Sequence, residues 1–402
     1  MTLAADTSLA APLSNPAPPS GPVRFMDRGG LFGLLVKNAF LTLVTLGIYR
    51  FWARAALRRY WWGSIVIAGD PLEYTGTGLE LFIGFLMFLA IMLPFGAVYG
   101  LTGLLQRSNP GAFALLHIAE GLVFFVLIQF VTFRARRYRL SRTLWRGVRA
   151  SQGGTSWQYL RLVIGWTLLS AITLGIAIPW ARIATTRYLM GRTALGDLEA
   201  RFDGRGRDLL LPWLLVFVPF FAGFGMFFAL TIHFTPAGAT PQVVPGIWAL
   251  ATGEILTAFG LLIYLLIEAR YTIRHTRFGE IQLGSGLSIG GVIFTVIGFL
   301  VAAVVILLVL VIGIAVVMGV SSSHAAANPS TIGIVTTIAA FVIGFGLIGI
   351  LRILWIDRAI VRQICDTMSM TNVDRLDRIG QSTAPIPRAG EGMADSFDIG
   401  AF

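Results

Sequence analysis

One phrase occurs twice in this chain, 128 positions apart: LTLVTLGIYRFWARAALRRYWWG at residues 41–63 and LSAITLGIAIPWARIATTRYLMG at residues 169–191. Identical positions include Thr45/Thr173, Gly47/Gly175, Trp52/Trp180, Arg54/Arg182, Arg59/Arg187 and Tyr60/Tyr188. Composition alone would give about two matches over such a length. Hydrophobic residues make up 56% of the chain and charged residues 13%, against roughly a quarter charged in soluble domains. A duplicated phrase in so apolar a chain predicts a membrane protein assembled from internal repeats. Both copies run the same way through the expected topology, so the repeats are predicted to be parallel.

Cys365 is the single cysteine, which excludes an intramolecular disulfide and a paired-cysteine redox or zinc site. His117, His233, His275 and His324 show no metal-ligand spacing. No metal, cofactor or catalytic motif is expected, and the chain does not read as an enzyme. The net charge of +11 does not point to nucleic acid. The arginines crowd the ends of apolar segments, most densely from Arg134 to Arg149, as expected for chain orientation and for contact with anionic lipid headgroups.

Six apolar runs are long enough to span a bilayer: about 79–105, 112–133, 209–233, 246–268, 289–320 and 331–351. The loops within these pairs are nearly free of basic residues and all others are basic, which predicts both termini in the cytoplasm. Two further apolar segments, about 31–51 and 159–180, have basic residues on both sides. They read as re-entrant or interfacial elements on the cytoplasmic side; the alternative is eight spans. The expected fold is an all-α polytopic helical bundle. Its parts are a disordered tail (1–28), membrane repeats at 29–150 and 151–283, a degenerate third hairpin (284–370) and a second disordered tail (371–402).

The TLGI-x3-WAR-x4-RY phrase, the FDG turn at 202–204 and the RY-x3-RT-x-WRG segment at 137–147 resemble the YjgN family of bacterial inner-membrane proteins, a domain-of-unknown-function family. The resemblance covers roughly 29–283 well and the third hairpin weakly. Phe51 stands where the second copy has Pro179. The resemblance implies a multi-pass inner-membrane location and carries no activity or site residues.

Candidate site residues therefore come from chemistry. Glu120 and Glu254 lie deep in expected spans at nearly equivalent places, where a carboxylate must be protonated, paired or facing water. His117 precedes Glu120 by one helical turn, which makes a protonatable pair in a pathway. The alternative is structural hydrogen bonding between helices. Arg54, Arg59, Arg182 and Arg187, with Trp52 and Trp180, are candidate contacts for an anionic solute or lipid headgroup; interfacial anchoring explains them equally without a ligand. The pattern accommodates movement of a small solute, ion or lipid, a non-transporting scaffold or envelope-homeostasis role, and, with less support, a lipid-acting membrane enzyme. On the six-span reading, in a Cys365→Ser background, cysteines at Ser108, Ala239 and Ser322 label from the periplasmic side and cysteines at Ala56 and Thr185 do not. External labelling at Ala56 or Thr185 would mean eight spans.

Overall fold

The computed structural model describes residues 22–233, 244–322 and 331–381. The N-terminal tail up to residue 21, the loops 234–243 and 323–330, and the tail from 382 lie outside the described residues. Strands and helix pairs alternate through the chain. β1 (Val23–Phe25) leads into α1 (Leu31–Val44) and α2 (Arg50–Ser64), and β2 (Ile65–Ile67) follows. β3 (Asp70–Tyr74), α3 (Gly78–Gly103), α4 (Leu105–Ser108), α5 (Pro110–Ser141) and β4 (Thr143–Trp145) form the next unit. Then come β5 (Val148–Gln152), α6 (Ser156–Ile172), α7 (Ile178–Met190) and β6 (Thr193–Leu195), followed by β7 (Leu198–Phe202), α8 (Leu210–His233), α9 (Val244–Arg274) and β8 (Thr276–Phe278). The last unit is β9 (Ile281–Ser285), α10 (Ile289–Ser322), α11 (Thr331–Arg352), α12 (Arg358–Thr367) and β10 (Met368–Met370).

The expectation of an all-α fold is overturned by these ten strands, which form one antiparallel sheet in chain order. Strands three to five residues long are too short for period-2 alternation to show in the sequence. Their turns also lack the Asn-Gly or Asp-Gly signature. Ala68-Gly69 and Arg146-Gly147 put both residues at positive φ, the type I′ geometry that suits a two-residue hairpin. Within each unit the first and last strands pair, as in Val23↔Ile67, Tyr74↔Thr143, Gln152↔Thr193, Phe202↔Thr276 and Ser285↔Met368. Every helix pair therefore leaves the sheet and returns to it beside its starting point.

The duplicated phrase is the turn of a short helical hairpin. Thr45 Oγ1 donates to the Leu41 carbonyl (2.7 Å) and accepts from the Tyr49 amide (2.9 Å), so it ties the end of α1 to the start of α2. Leu46 and Gly47 take left-handed conformations (φ 50° and 92°), and the Gly47 amide returns to the Thr42 carbonyl (2.7 Å), a C-terminal cap in which glycine carries no Cβ penalty. Thr173, Leu174 and Gly175 repeat the arrangement between α6 and α7.

Among the described residues, six helices are long and apolar enough to cross a membrane: Gly78–Gly103, Pro110–Ser141, Gly206–His233, Gly246–Arg274, Ile289–Val316 and Thr337–Thr367. Each overlaps one of the six runs read from the sequence. α8 and α9 meet backbone to backbone where Gly223 faces Gly253; a Cβ on Gly223 would lie 2.9 Å from the Gly253 Cα. α3 and α5 touch over far fewer residues.

The strand series turns back on itself. β1 lies against β10 and α12. The Phe25 amide donates to Asp366 Oδ1 (3.0 Å), and Arg358 pairs with Asp27. The Tyr60 hydroxyl and the Gly29 amide also donate to Asp27. These bonds hold its carboxyl below the ordinary aspartate range, with Arg358 helping and desolvation opposing. The closure contact is therefore present above that range and is lost as pH falls through the lowered value.

Side chains from β2, β3, β4, β6, β7, β8, β9 and β10 meet in one apolar cluster around Trp145, Ile281 and Leu376. Leu376 belongs to a segment, 371–381, that the sequence assigns to a disordered tail. Its residues 373–378 instead form a 3-10 turn strapped across the hairpin tips. Arg146 reaches both Asp70 and Asp377, Arg375 pairs with Glu280 (2.9 Å), the Gly380 amide donates to Asp197 (2.9 Å), and Gln381 Nε2 donates to the Gly147 carbonyl (3.1 Å). Eleven residues gave the sequence reading too little apolar periodicity to register. Leu376→Ala is expected to lower unfolding stability by about 2–4 kcal/mol, the range for emptying a buried leucine site, measured by thermal or denaturant unfolding in detergent.

Candidate functional site

α2 presents three arginines on one face. Arg50, Arg54 and Arg58 are spaced i, i+4, i+8, so they stack along about 12 Å of helix. Arg50 is exposed near the hairpin tip, Arg54 is half-buried and Arg58 is buried near the sheet. This column forms one wall of a cavity of about 1020 Å³ between the first short hairpin and α11. Arg139 of α5 and Arg352 of α11 add two more guanidiniums, and Asp357 adds a carboxylate that pairs with Arg352 at 3.1 Å. The rest of the lining is largely apolar. Several of its members, among them Phe40, Leu43, Leu46, Ile343 and Leu347, are exposed, so the cavity opens outward through its apolar wall. Ile353–Asp357 forms a π turn along the same wall, a helix irregularity frequent at functional sites.

The arginines are held in place by the fold around them. Asn38 of α1, buried, donates to the Ala53 carbonyl (3.3 Å) and fixes α1 to α2. Arg58 Nη1 contacts the Tyr74 hydroxyl (3.3 Å), with its guanidinium 5.8 Å from that ring's centre. Leu31, Leu35 and Trp61 pack with Ile350, Ile353 and Leu354 at the base, where the last descending helix meets the first hairpin.

The second short hairpin lacks this chemistry. At the 128-residue offset Arg50 becomes Ile178 and Arg58 becomes Thr186, while Tyr74 becomes Phe202. Ile178 packs on a core of Ile183, Phe202, Leu209, Trp213, Val216 and Tyr264. Arg182, the counterpart of Arg54, is gripped by Glu268, with Nε 2.8 Å from Oε1 and Nη2 3.0 Å from Oε2. A smaller space of about 340 Å³ lies between Trp166, Trp180, Arg187 and the 205–207 segment.

The expected site residues thus separate. Arg54 lines the large cavity. Arg59 and Arg187 serve the backbone, donating to the Gly76 carbonyl (3.1 Å) and the Gly204 carbonyl (2.6 Å). Trp52 and Trp180 pack against the glycines that open the next helical segments, Gly78 and Gly206. Glu120 is buried and bonds Thr102 Oγ1 (3.1 Å). His117 lies 3.8 Å from Glu120, between the rings of Tyr99 and Phe113. Glu254 is exposed on α9 and shares no contact with that group, so the structure does not bring the two glutamates together.

Residues 21–396 match a family described as bacterial protein of unknown function, DUF898. The chain belongs to that family. It is also similar to the inner membrane protein YjgN of Salmonella typhimurium strain LT2, 29% identical over 113 residues, which is 28% of this chain and 27% of that protein. The protein of the same name from Escherichia coli K12 is 29% identical over 124 residues, 30% of this chain and 28% of that protein. The matched stretch thus spans less than a third of either relative. No solved structure matches the chain.

The sequence reading missed Arg50, Arg58, Arg139 and Arg352. The spacing of Arg50, Arg54 and Arg58, together with the loss of its outer members in the second copy, was the available signal. Arg139 and Arg352 carry none, because only the return of α11 to α2 brings them there. The packing of this family member gives a test with opposite signs. A Cβ on Gly78 would lie 2.7 Å from the Trp52 Cα, and one on Gly206 would lie 2.8 Å from the Trp180 Cα. Gly78→Ala and Gly206→Ala are each expected to destabilise by about 1–3 kcal/mol through overpacking. Gly100→Ala, with open space around it, is expected to stabilise by up to about 1 kcal/mol in its helix. Thermal unfolding of the three variants reads both signs.

Proposed function

We propose that the chain is a multi-pass inner-membrane protein that takes an anionic amphiphile of the lipid class into the arginine-lined cavity and moves it relative to the bilayer. The reading carries over the location given in the names of its relatives. The observation that supports it most is the combination of five arginines and one aspartate with apolar walls exposed to the surroundings. Guanidinium groups suit phosphate oxygens, and an apolar wall open to hydrocarbon suits acyl chains. A purely soluble anion would gain nothing from that wall.

The same reading places the two short hairpins in the membrane as re-entrant elements of parallel repeats. Their tips carry Leu46 and Ile48, and Leu174 and Ile176, all exposed, a composition suited to hydrocarbon. Their bases return to paired strands on one side, and the basic residues there assign that side, with both termini, to the cytoplasm. The proposal needs no catalytic step. A scaffold role is favoured by one observation: Glu254 is exposed within an apolar span, where a carboxylate costs about 2.5–3.5 kcal/mol by insertion scales and calls for a polar neighbour.

The test uses purified full-length protein in nanodiscs of equal phosphatidylglycerol and phosphatidylcholine, with retained lipid read by native mass spectrometry. Retention favouring phosphatidylglycerol by about tenfold, equivalent to about 1.4 kcal/mol, is expected. Equal retention of both lipids contradicts the proposal. In liposomes, the protein should also accelerate redistribution of a labelled anionic lipid between leaflets. Selective retention without redistribution would favour the scaffold reading.

A further inference from the structure

We propose that the small cavity of the second short hairpin is a binding site for a phosphate group, held by Arg205 and Arg207 beside Arg187. The site is separate from the arginine-lined cavity at α11 and does not rest on the lipid reading above.

The cavity, of about 340 Å³, lies where α6 and α7 meet the segment that opens the 206–233 helix. Arg187 comes from α7, Arg205 and Arg207 come from that segment, and Trp166 and Trp180 form aromatic walls. No acidic side chain is among the described residues that line it. Each arginine is anchored in the protein, and the anchoring leaves donors over. Arg187 gives one Nη to the Gly204 carbonyl (2.6 Å). Arg207 places Nε 3.6 Å from Asp208 Oδ1, a carboxylate outside the lining. Arg205 is fixed through its backbone, whose amide donates to the Tyr271 hydroxyl (2.7 Å). A guanidinium carries five N–H donors, so these contacts position the three groups without exhausting them.

The first copy supplies an internal comparison. At the 128-residue offset Arg205 corresponds to Thr77, Arg207 to Leu79 and Trp166 to Asn38, while Arg187 and Trp180 match Arg59 and Trp52. Thr77 Oγ1 accepts from the Glu80 amide (3.2 Å) and so caps α3. The second copy gives up that cap, since Arg205 makes no side-chain cap bond. It also brings two further cations to Arg187, and like charges repel. Neither change adds a buried side chain, because Arg205 and Arg207 are both exposed. An oxyanion between the three guanidiniums accounts for both changes.

Phosphate is the oxyanion that suits this arrangement. It offers three or more acceptor oxygens in different directions, and guanidinium groups from two separate elements can each bond one or two of them. The space is a third of the size of the cavity at α11, so it takes a headgroup and excludes acyl chains. Two sources carry such a group. One is an anionic lipid headgroup, favoured by Trp166 and Trp180 because tryptophan concentrates at headgroup level. The other is soluble phosphate.

Amide hydrogen exchange over residues 203–210 tests the site on purified full-length protein in a neutral maltoside detergent. Three samples are compared: protein alone, with added phosphatidylglycerol, and with added inorganic phosphate. Exchange is expected to be about tenfold slower at saturating ligand, and unchanged at the equivalent residues 75–82. Slowing with phosphatidylglycerol only identifies the lipid headgroup as the source, and slowing with inorganic phosphate identifies soluble phosphate. Arg205→Thr with Arg207→Leu restores the residues of the first copy, including the capping threonine. This double variant is expected to keep or raise the thermal unfolding midpoint and to lose the slowing. Arg205→Gln, with a polar side chain and no charge, is expected to reduce the slowing and serves if the double variant does not fold.

No slowing with either ligand overturns the proposal. So does equal slowing in wild type and in a folded arginine variant, or equal slowing at 75–82, because both mark diffuse attraction between a basic surface and anions. The lipid reading of the larger cavity depends on its own retention measurement, since none of its arginines is changed by these substitutions.

Discussion

Backbone amides and carbonyls that leave a helix at the edge of a bilayer have to be paired again, and in this chain they are paired in sequence order. Each strand bonds the one before and the one after it, so each helix pair is pinned at both ends to neighbouring strands. That constraint decides the topology. Helices of 24 to 34 residues, such as α8 and α10, are long enough to cross a bilayer, while helices of 14 or 15 residues, such as α1 and α2, are not. A helix of 14 residues rises about 21 Å, short of the hydrocarbon core. The contact of β1 with β10 and α12 brings the final helix pair against the first, and the large cavity lies at that junction.

The same scaffold is finished differently at two equivalent places. In the second short hairpin, apolar residues and one bidentate ion pair close the space between α7, α8 and α9. In the first, the corresponding positions are Arg50, Arg58 and Tyr74, and α3 and α5 are more loosely joined than α8 and α9. An arginine whose carboxylate partner is supplied by the protein is a structural element. The arginine in the equivalent place of α2, Arg54, lines a large cavity. The difference lies in a handful of side chains on a shared backbone.

Much of the architecture was legible in the sequence for a physical reason: a span needs about twenty apolar residues and a helix cap needs a residue tolerant of positive φ. Hence the six long helices could be read directly, while Thr45, Gly47, Thr173 and Gly175 stood out only as identical positions of the duplicated phrase. The strands could not, since Thr143–Trp145 or Ile65–Ile67 offers three residues and no alternation. The strap at 371–381 was hidden because its apolar packing comes from only Val373, Leu376 and Ile379, set among charged residues. Arg59, Arg187, Trp52 and Trp180 look like ligand contacts in sequence because interfacial Arg and Trp serve both purposes; only their bonds to Gly76 and Gly204 and their packing on Gly78 and Gly206 separate them from Arg54.

The central claim, proposed above, is that the arginine-lined cavity between the first short hairpin and α11 takes an anionic lipid. An experimental density map of the full-length protein in phosphatidylglycerol-containing nanodiscs tests it most directly. The account predicts an elongated feature in the cavity, with its head at the arginine-lined end and its tails along α1 and α11. A cavity filled by side chains, or one without lipid density, would contradict it.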